Sequence, residues 1–92
     1  MAEITDNSRP RLAGKTRLKW DAVREKPLLL VPEGVLVLNQ TAHDVLTLCD
    51  GGRTVGEIVE ILGARYASDA IGGDVKEILE TLRQKTFVTI DD

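Results

Sequence analysis

Two periods of apolar spacing run along this chain, and the switch between them separates strands from helices. Arg17-Leu18-Lys19-Trp20-Asp21 alternates polar and apolar positions, the pattern of a half-buried strand. Leu28-Leu29-Leu30-Val31 is a continuous apolar run bounded by Pro27 and by Pro32-Glu33-Gly34, and Val35-Leu36-Val37-Leu38 follows it. Proline then glycine in that interval suits a tight turn, so the three segments predict a small antiparallel meander.

From Ala42 the period lengthens. Ala42, Val45, Leu46 and Cys49 fall at i, i+3, i+4 and i+7, and Val55, Ile58, Val59 and Leu62 repeat the spacing. Val75, Ile78, Leu79 and Leu82 repeat it again, so each set lays an apolar stripe on one helix face. Asn39 or Thr41 is placed to cap the first helix, and Gly51 or Gly52 to end it. Thr54 and Glu57 have the spacing of a capping box for the second. Gly72-Gly73 is expected to precede the third, with Asp74 near its positive end. Phe87-Val88-Thr89-Ile90 reads as a strand or an extended cover over the core. Residues 1–14 are polar and aperiodic and read as a flexible tail, leaving 15–92 as one folded domain. The expectation is an α+β fold of the winged helix-turn-helix type, with a three-stranded antiparallel sheet followed by three helices.

Composition bounds the function classes. Ninety-two residues, 42% hydrophobic, suffice for one core without staples, and with only Trp20, Tyr66 and Phe87 as aromatics that core is aliphatic. The lone Cys49 cannot form an internal disulfide, which fits a reducing cytoplasm. Apolar runs such as Leu28 to Val31 fall far short of the roughly 20 residues a spanning helix needs. No apolar signal segment opens the chain, so no membrane association is expected. Charge is uneven: residues 1–27 hold seven Lys/Arg against four acids (net +3), and residues 28–92 five against eleven (net −6). A basic front half on an acidic body can orient a partner through complementary fields; the blander reading is a solvated basic arm.

Catalytic and metal chemistry find little support. His43 is the only histidine, lies off the apolar stripe, and is expected to face solvent. Cys49 lies on the stripe and reads as a small buried hydrophobe. No paired metal-ligand spacing is present. Asp50-Gly51-Gly52 reads as a helix end better than as a phosphate loop, and Asp50 either anchors that turn or contacts a partner. The chain is therefore expected to be no enzyme and to carry no metal or cofactor. A winged-helix DNA-binding regulator is the alternative function. It needs cations on the recognition helix, whereas the third helix carries Asp74, Glu77 and Glu80 against Lys76 and Arg83. No nucleic-acid partner is expected.

What remains is an open sheet edge beside an amphipathic helix. An extended peptide could add to the strand Val35 to Leu38, with its alternate side chains entering a groove against the third helix. For Ile78 and Leu82 the reading is core with partial groove exposure. Trp20 reads as packing across the sheet.

The ordered set Arg17-Leu18-Lys19-Trp20-Asp21, Pro32-Glu33-Gly34-Val35, Leu38-Asn39-Gln40-Thr41-Ala42, Leu48-Cys49-Asp50-Gly51 and Thr54-Val55-Gly56-Glu57-Ile58, closed by the Asp74-Val75 helix, resembles the PqqD family from about Leu12 onward. The resemblance implies a RiPP recognition element, a strand-first winged helix that binds the ribosomal precursor peptide PqqA. It also implies delivery of that peptide to the radical SAM enzyme PqqE in pyrroloquinoline quinone biosynthesis, where a glutamate and a tyrosine of the peptide are cross-linked. By the family's pattern the peptide lies along the third strand and against the third helix. Carried onto this chain, the contacts are Val35, Leu36, Val37 and Leu38, with Val75, Ile78, Leu79, Leu82 and Arg83 opposite. The expected state is a cytoplasmic monomer acting as a peptide chaperone.

Overall fold

The computed structural model describes residues 3–91, ordered as β1 (Arg9–Leu12), β2 (Arg17–Asp21), β3 (Lys26–Val31), β4 (Gly34–Val37), α1 (Gln40–Thr47), α2 (Val55–Tyr66), α3 (Ile71–Gln84) and β5 (Val88–Asp91). Strands β2, β3 and β4 form the expected antiparallel meander, in that order, with Leu18 opposite Leu29 and Leu29 opposite Leu36. The third strand of the sequence reading is β4, because a further strand precedes it. α1 packs on β2 and β3, and α3 packs on α2 and β5.

The start signals of α1 and α2 act as the spacing implies, whereas α1 stops at Thr47 with Leu48 as its cap and not at Gly51 or Gly52. Asn39 caps α1 by accepting the Ala42 N–H at 2.8 Å. Thr54 and Glu57 complete a reciprocal box at the start of α2, with Glu57 Oε1 accepting the Thr54 N–H at 2.9 Å. That bond holds the Glu57 carboxyl below its ordinary value. Leu29, Val45, Val55, Ile58, Leu62, Val75 and Leu79 are fully buried and make one aliphatic core across sheet and helices. Burying each such side chain contributes about 1.5–3 kcal/mol before chain entropy is subtracted.

Three further expectations are corrected. The lead-in expected to be a tail through Gly14 enters the fold from Ile4, while Met1 and Ala2, like Asp92, lie outside the described residues. β1 pairs antiparallel with β5 as a second, two-stranded sheet, with Pro10 opposite Ile90 and Leu12 opposite Val88. Ahead of it, the Ser8 and Asp6 carbonyls accept the Val55 and Gly56 N–H groups at 2.8 and 2.9 Å, satisfying donors that the first turn of α2 leaves open. A Cβ at Gly56 would stand 3.2 Å from the Asp6 carbonyl oxygen, so this approach favours glycine. The segment has no period because backbone bonds hold it, with Ser8 and Pro10 sunk into the body and Ile4 and Leu12 packed against the core at irregular spacing. Second, α3 begins at Ile71, so Gly72 and Gly73 lie inside its first turn; Ile71 is buried and draws the helix start forward. Third, His43 does not project into solvent. Its side chain is 27% exposed, edge-on to Trp20 with ring centroids 6.5 Å apart, because α1 crosses the end of β2.

Candidate functional site

β4 is paired on one side only: β3 is its neighbour and no strand among the described residues pairs with its other edge. The register states which backbone groups are free. The Leu38 N–H donates to the Pro27 carbonyl at 2.9 Å, so Leu38 turns its backbone toward β3. In an antiparallel pair the inward-turned residues alternate, which points Leu36 inward as well and leaves Val35 and Val37 turned outward. These two therefore present about four unpaired main-chain groups. Their side chains are each 55% exposed, whereas Leu36 and Leu38 lean on the core from the opposite face of the strand.

Beside the end of this strand lies a groove of about 440 Å³ between the start of α1 and α3. Leu38, Asn39, Thr41 and Ala42 form one wall, and Asp74, Glu77, Ile78, Thr81 and Leu82 the other. Ile78 and Leu82 supply its apolar surface from the third-helix stripe, and Asp74 and Glu77 make its rim acidic. Asn39 serves twice, capping α1 and lining the groove. The spacing rules that place α1's cap and α3's stripe thus build both walls.

The residues singled out from the sequence divide. Val35, Val37, Leu38, Ile78 and Leu82 meet at the open edge or in the groove. Leu36 belongs to the edge strand but turns its backbone to β3 and its side chain to the core. Val75 and Leu79 have no exposed surface, because the inner half of the α3 stripe is consumed by packing on α2. Arg83 makes a two-pronged pair with Glu80, at 2.6 and 2.9 Å, holding the Glu80 carboxyl below its ordinary value, and does not line the groove. Sequence reasoning did not place Asp74, Glu77, Thr41 and Thr81 in the site. They flank the stripe by one position on the groove side, so the helical period itself could have located them.

Other candidates resolve as structural. Cys49 is buried, its thiol bonds the Val45 carbonyl at 3.2 Å, and burial pushes its pKa up to about 12, so it is no nucleophile at neutral pH. Asp50 anchors the turn after α1: its carboxylate accepts the Gly52 N–H at 2.8 Å and pairs with Arg53 at 3.0 Å, and these hold it below its ordinary value. Trp20 is half exposed and packs on His43. A buried carboxylate that the sequence reading did not weigh, Asp44, ties α1 to the end of α2. It accepts hydrogen bonds from Tyr66 Oη and from Gln40 Nε2 (2.9 Å), and lies 3.8 Å from Arg65. Burial pushes its pKa up, but these partners outweigh that and hold it below its ordinary value. The bond to Asp44 raises the Tyr66 pKa in turn. Among the described residues no group of three or more His, Cys, Asp or Glu is arranged to hold a metal, and no helix is long and apolar enough to cross a membrane.

The sequence model of the family described as "Coenzyme PQQ synthesis protein D (PqqD)" matches residues 28–88, from the middle strand of the meander to the first residue of β5. The chain belongs to the PqqD family. Curated relatives bear this out: a "PqqA binding protein" of Rhodopseudomonas palustris (strain TIE-1) is 41% identical over 88 residues, spanning 94% of this chain and 86% of the relative. Another "PqqA binding protein", from Azotobacter vinelandii (strain DJ / ATCC BAA-1303), is 36% identical and aligns over 98% of this chain and 99% of its own length. The solution NMR structure of the PqqD truncation of Methylobacterium extorquens PqqCD, described as a functional and stand-alone RiPP recognition element, has the same fold. It superposes with a TM-score of 0.76 at 41% identity over 87% of each chain. The matches to full-length relatives include the β1 segment, which the tail reading had set apart from the domain.

Proposed function

We propose that this PqqD-family chain binds the precursor peptide PqqA as an added strand on β4 and delivers it to the radical SAM enzyme PqqE for pyrroloquinoline quinone biosynthesis. It acts as a binding module in the cytoplasm, as a monomer, with no chemistry of its own. The observation that carries this reading is the unpaired β4 edge running directly into an apolar groove. Val35 and Val37 bond the peptide main chain, and Leu38, Ile78 and Leu82 receive its side chains. Leu36 supports the edge from behind, Val75 and Leu79 support the groove from the core, and Arg83 flanks it.

Magnitudes require both halves of the site. About four main-chain hydrogen bonds at roughly 1 kcal/mol each amount only to millimolar binding, before the cost of association. The groove supplies the rest: each apolar side chain seated on Ile78 and Leu82 adds about 1.5–3 kcal/mol if fully buried. DNA binding lacks a comparable surface, since the groove-facing side of α3 presents Asp74 and Glu77.

The test is an amide-shift titration of the labelled chain with synthetic PqqA. The expected shifts centre on residues 35–38, on 39–42 and on 74–82; shifts confined to β1 and β5 would refute the site. Peptide affinity is expected to change little between low and moderate salt, whereas duplex binding weakens steeply.

A further inference from the structure

Strand β3 reads Leu28-Leu29-Leu30-Val31, a continuous apolar run of the kind found in strands covered on both faces. This chain packs one face on its core and leaves much of the other exposed. Leu29 and Val31 meet the core, while Leu28 and Leu30 point the other way, Leu28 buried beneath its neighbours at 8% exposure and Leu30 half-buried. The register places Leu28 between Lys19 and Val37, and Leu30 between Arg17 and Val35, so all six side chains share the outer face of the sheet. An antiparallel sheet with a solvated outer face ordinarily alternates to polar there. Here half of the outward positions are apolar, and Val35 and Val37 are each 55% exposed.

The positive charges on this face are also unpaired, since Asp21, which shares the face by register, is taken by Arg24. Elsewhere in the basic front half, Arg9 donates to the Gly52 carbonyl, Arg11 pairs with Asp91 and Arg24 pairs with Asp21. Arg17, Lys19 and Lys26 are exposed, lie on the outer face by register, and make no ion pair among the described residues. Arg17 and Lys19 thus place unpaired positive charge along one rim of an apolar patch. Its opposite rim is the open edge of β4. A strand added there would lie about 14 Å from the Arg17–Lys19 row, with every second side chain on this same face.

We propose that the outer sheet face is a docking surface for the enzyme that modifies the bound peptide, through an apolar patch on that enzyme bordered by carboxylates. This rests on the function proposed above. The enzyme would then meet the domain's own Leu30, Val35, Val37, Arg17 and Lys19 and the outward side chains of the added peptide on one continuous surface. Recognition of the loaded domain follows, because the peptide supplies the fourth row of that surface. Charge at the rim chiefly sets the rate and salt dependence of association.

The experiment has separate arms for peptide and enzyme. Synthetic PqqA is titrated into wild-type chain and into R17E/K19E; both substitutions lie two strands from the edge, and affinity is expected to stay within about twofold. Failure of wild type to bind PqqA would sink the proposed function without bearing on this face. PqqE is then added to peptide-free and peptide-loaded chain. The expected result is association with R17E/K19E slowed about tenfold, with a flatter salt dependence. A line-broadening map of labelled wild type, which needs no variant, is expected to single out residues 17–21 and 26–30. Unchanged association of the variant overturns the proposal, as does broadening confined to α2 and β5. So does a loss of PqqA affinity in step with loss of PqqE association, since the two surfaces would then not be distinct.

Discussion

Replacing Val37 by proline separates the peptide edge from the fold itself. Val37 turns its N–H outward and Leu36 turns its N–H to β3, an alternation anchored by the Leu38 N–H to Pro27 carbonyl bond at 2.9 Å. Proline removes the donor and places ring atoms where it stood. At Val37 no intramolecular ladder bond is lost, and proline is tolerated on an edge strand whose N–H faces outward. The domain should lose less than about 1 kcal/mol, a fall in Tm of at most about 4–8 °C. A peptide strand should lose one direct bond and be held off its neighbour, about 1–2 kcal/mol, or roughly 5- to 30-fold in Kd. At Leu36 the order reverses: proline breaks a ladder bond and removes a side chain that packs on the core. The cost there is about 2–4 kcal/mol of stability, or roughly 10–25 °C in Tm. Calorimetric titration with PqqA and a thermal melt of each variant measure both quantities. Wild-type affinity in Val37→Pro, or a Leu36→Pro variant that melts normally yet fails to bind, would refute the register and with it the strand-addition argument.

Further predictions concern the groove and the buried groups. Ile78→Ser should weaken PqqA binding by about 1–2 kcal/mol with a smaller loss of stability, whereas Val75→Ala should lower stability by about 2 kcal/mol and leave the affinity of the folded chain unchanged. Parallel titrations and denaturant curves separate the two. Asp44 has a folded pKa held below its unfolded value, so its contribution is present above the ordinary carboxylate range and is lost as pH falls through the lowered value. Asp44→Asn should therefore lower Tm at neutral pH and flatten the acid limb of a Tm-against-pH curve; an unchanged acid limb would assign the acid sensitivity elsewhere. Cys49, with its thiol pKa pushed up to about 12, should resist iodoacetamide at neutral pH until the chain unfolds, and mass spectrometry of the alkylated product reads this directly.

Local physics wrote most of this fold into the sequence. The i, i+3, i+4, i+7 stripes located the three helices, because an amphipathic helix must turn one face inward, and Asn39, Thr54 and Glu57 marked helix starts through bonds only a few residues long. The meander followed from alternation and a proline–glycine turn. The β1–β5 pair did not, since its register joins Arg9 to Asp91 across nearly the whole chain and leaves no periodic trace in four-residue strands. The same limit applies to the site. Sequence placed Val35 to Leu38 and the α3 stripe together, but only the three-dimensional packing decided that Val75 and Leu79 are consumed by the core while Ile78 and Leu82 reach the groove. It also decided that Val37, not Leu36, offers its N–H, because which backbone groups are free depends on which strand lies alongside. Periodicity gives a face; the partner that covers that face, or leaves it open, is a property of the tertiary structure.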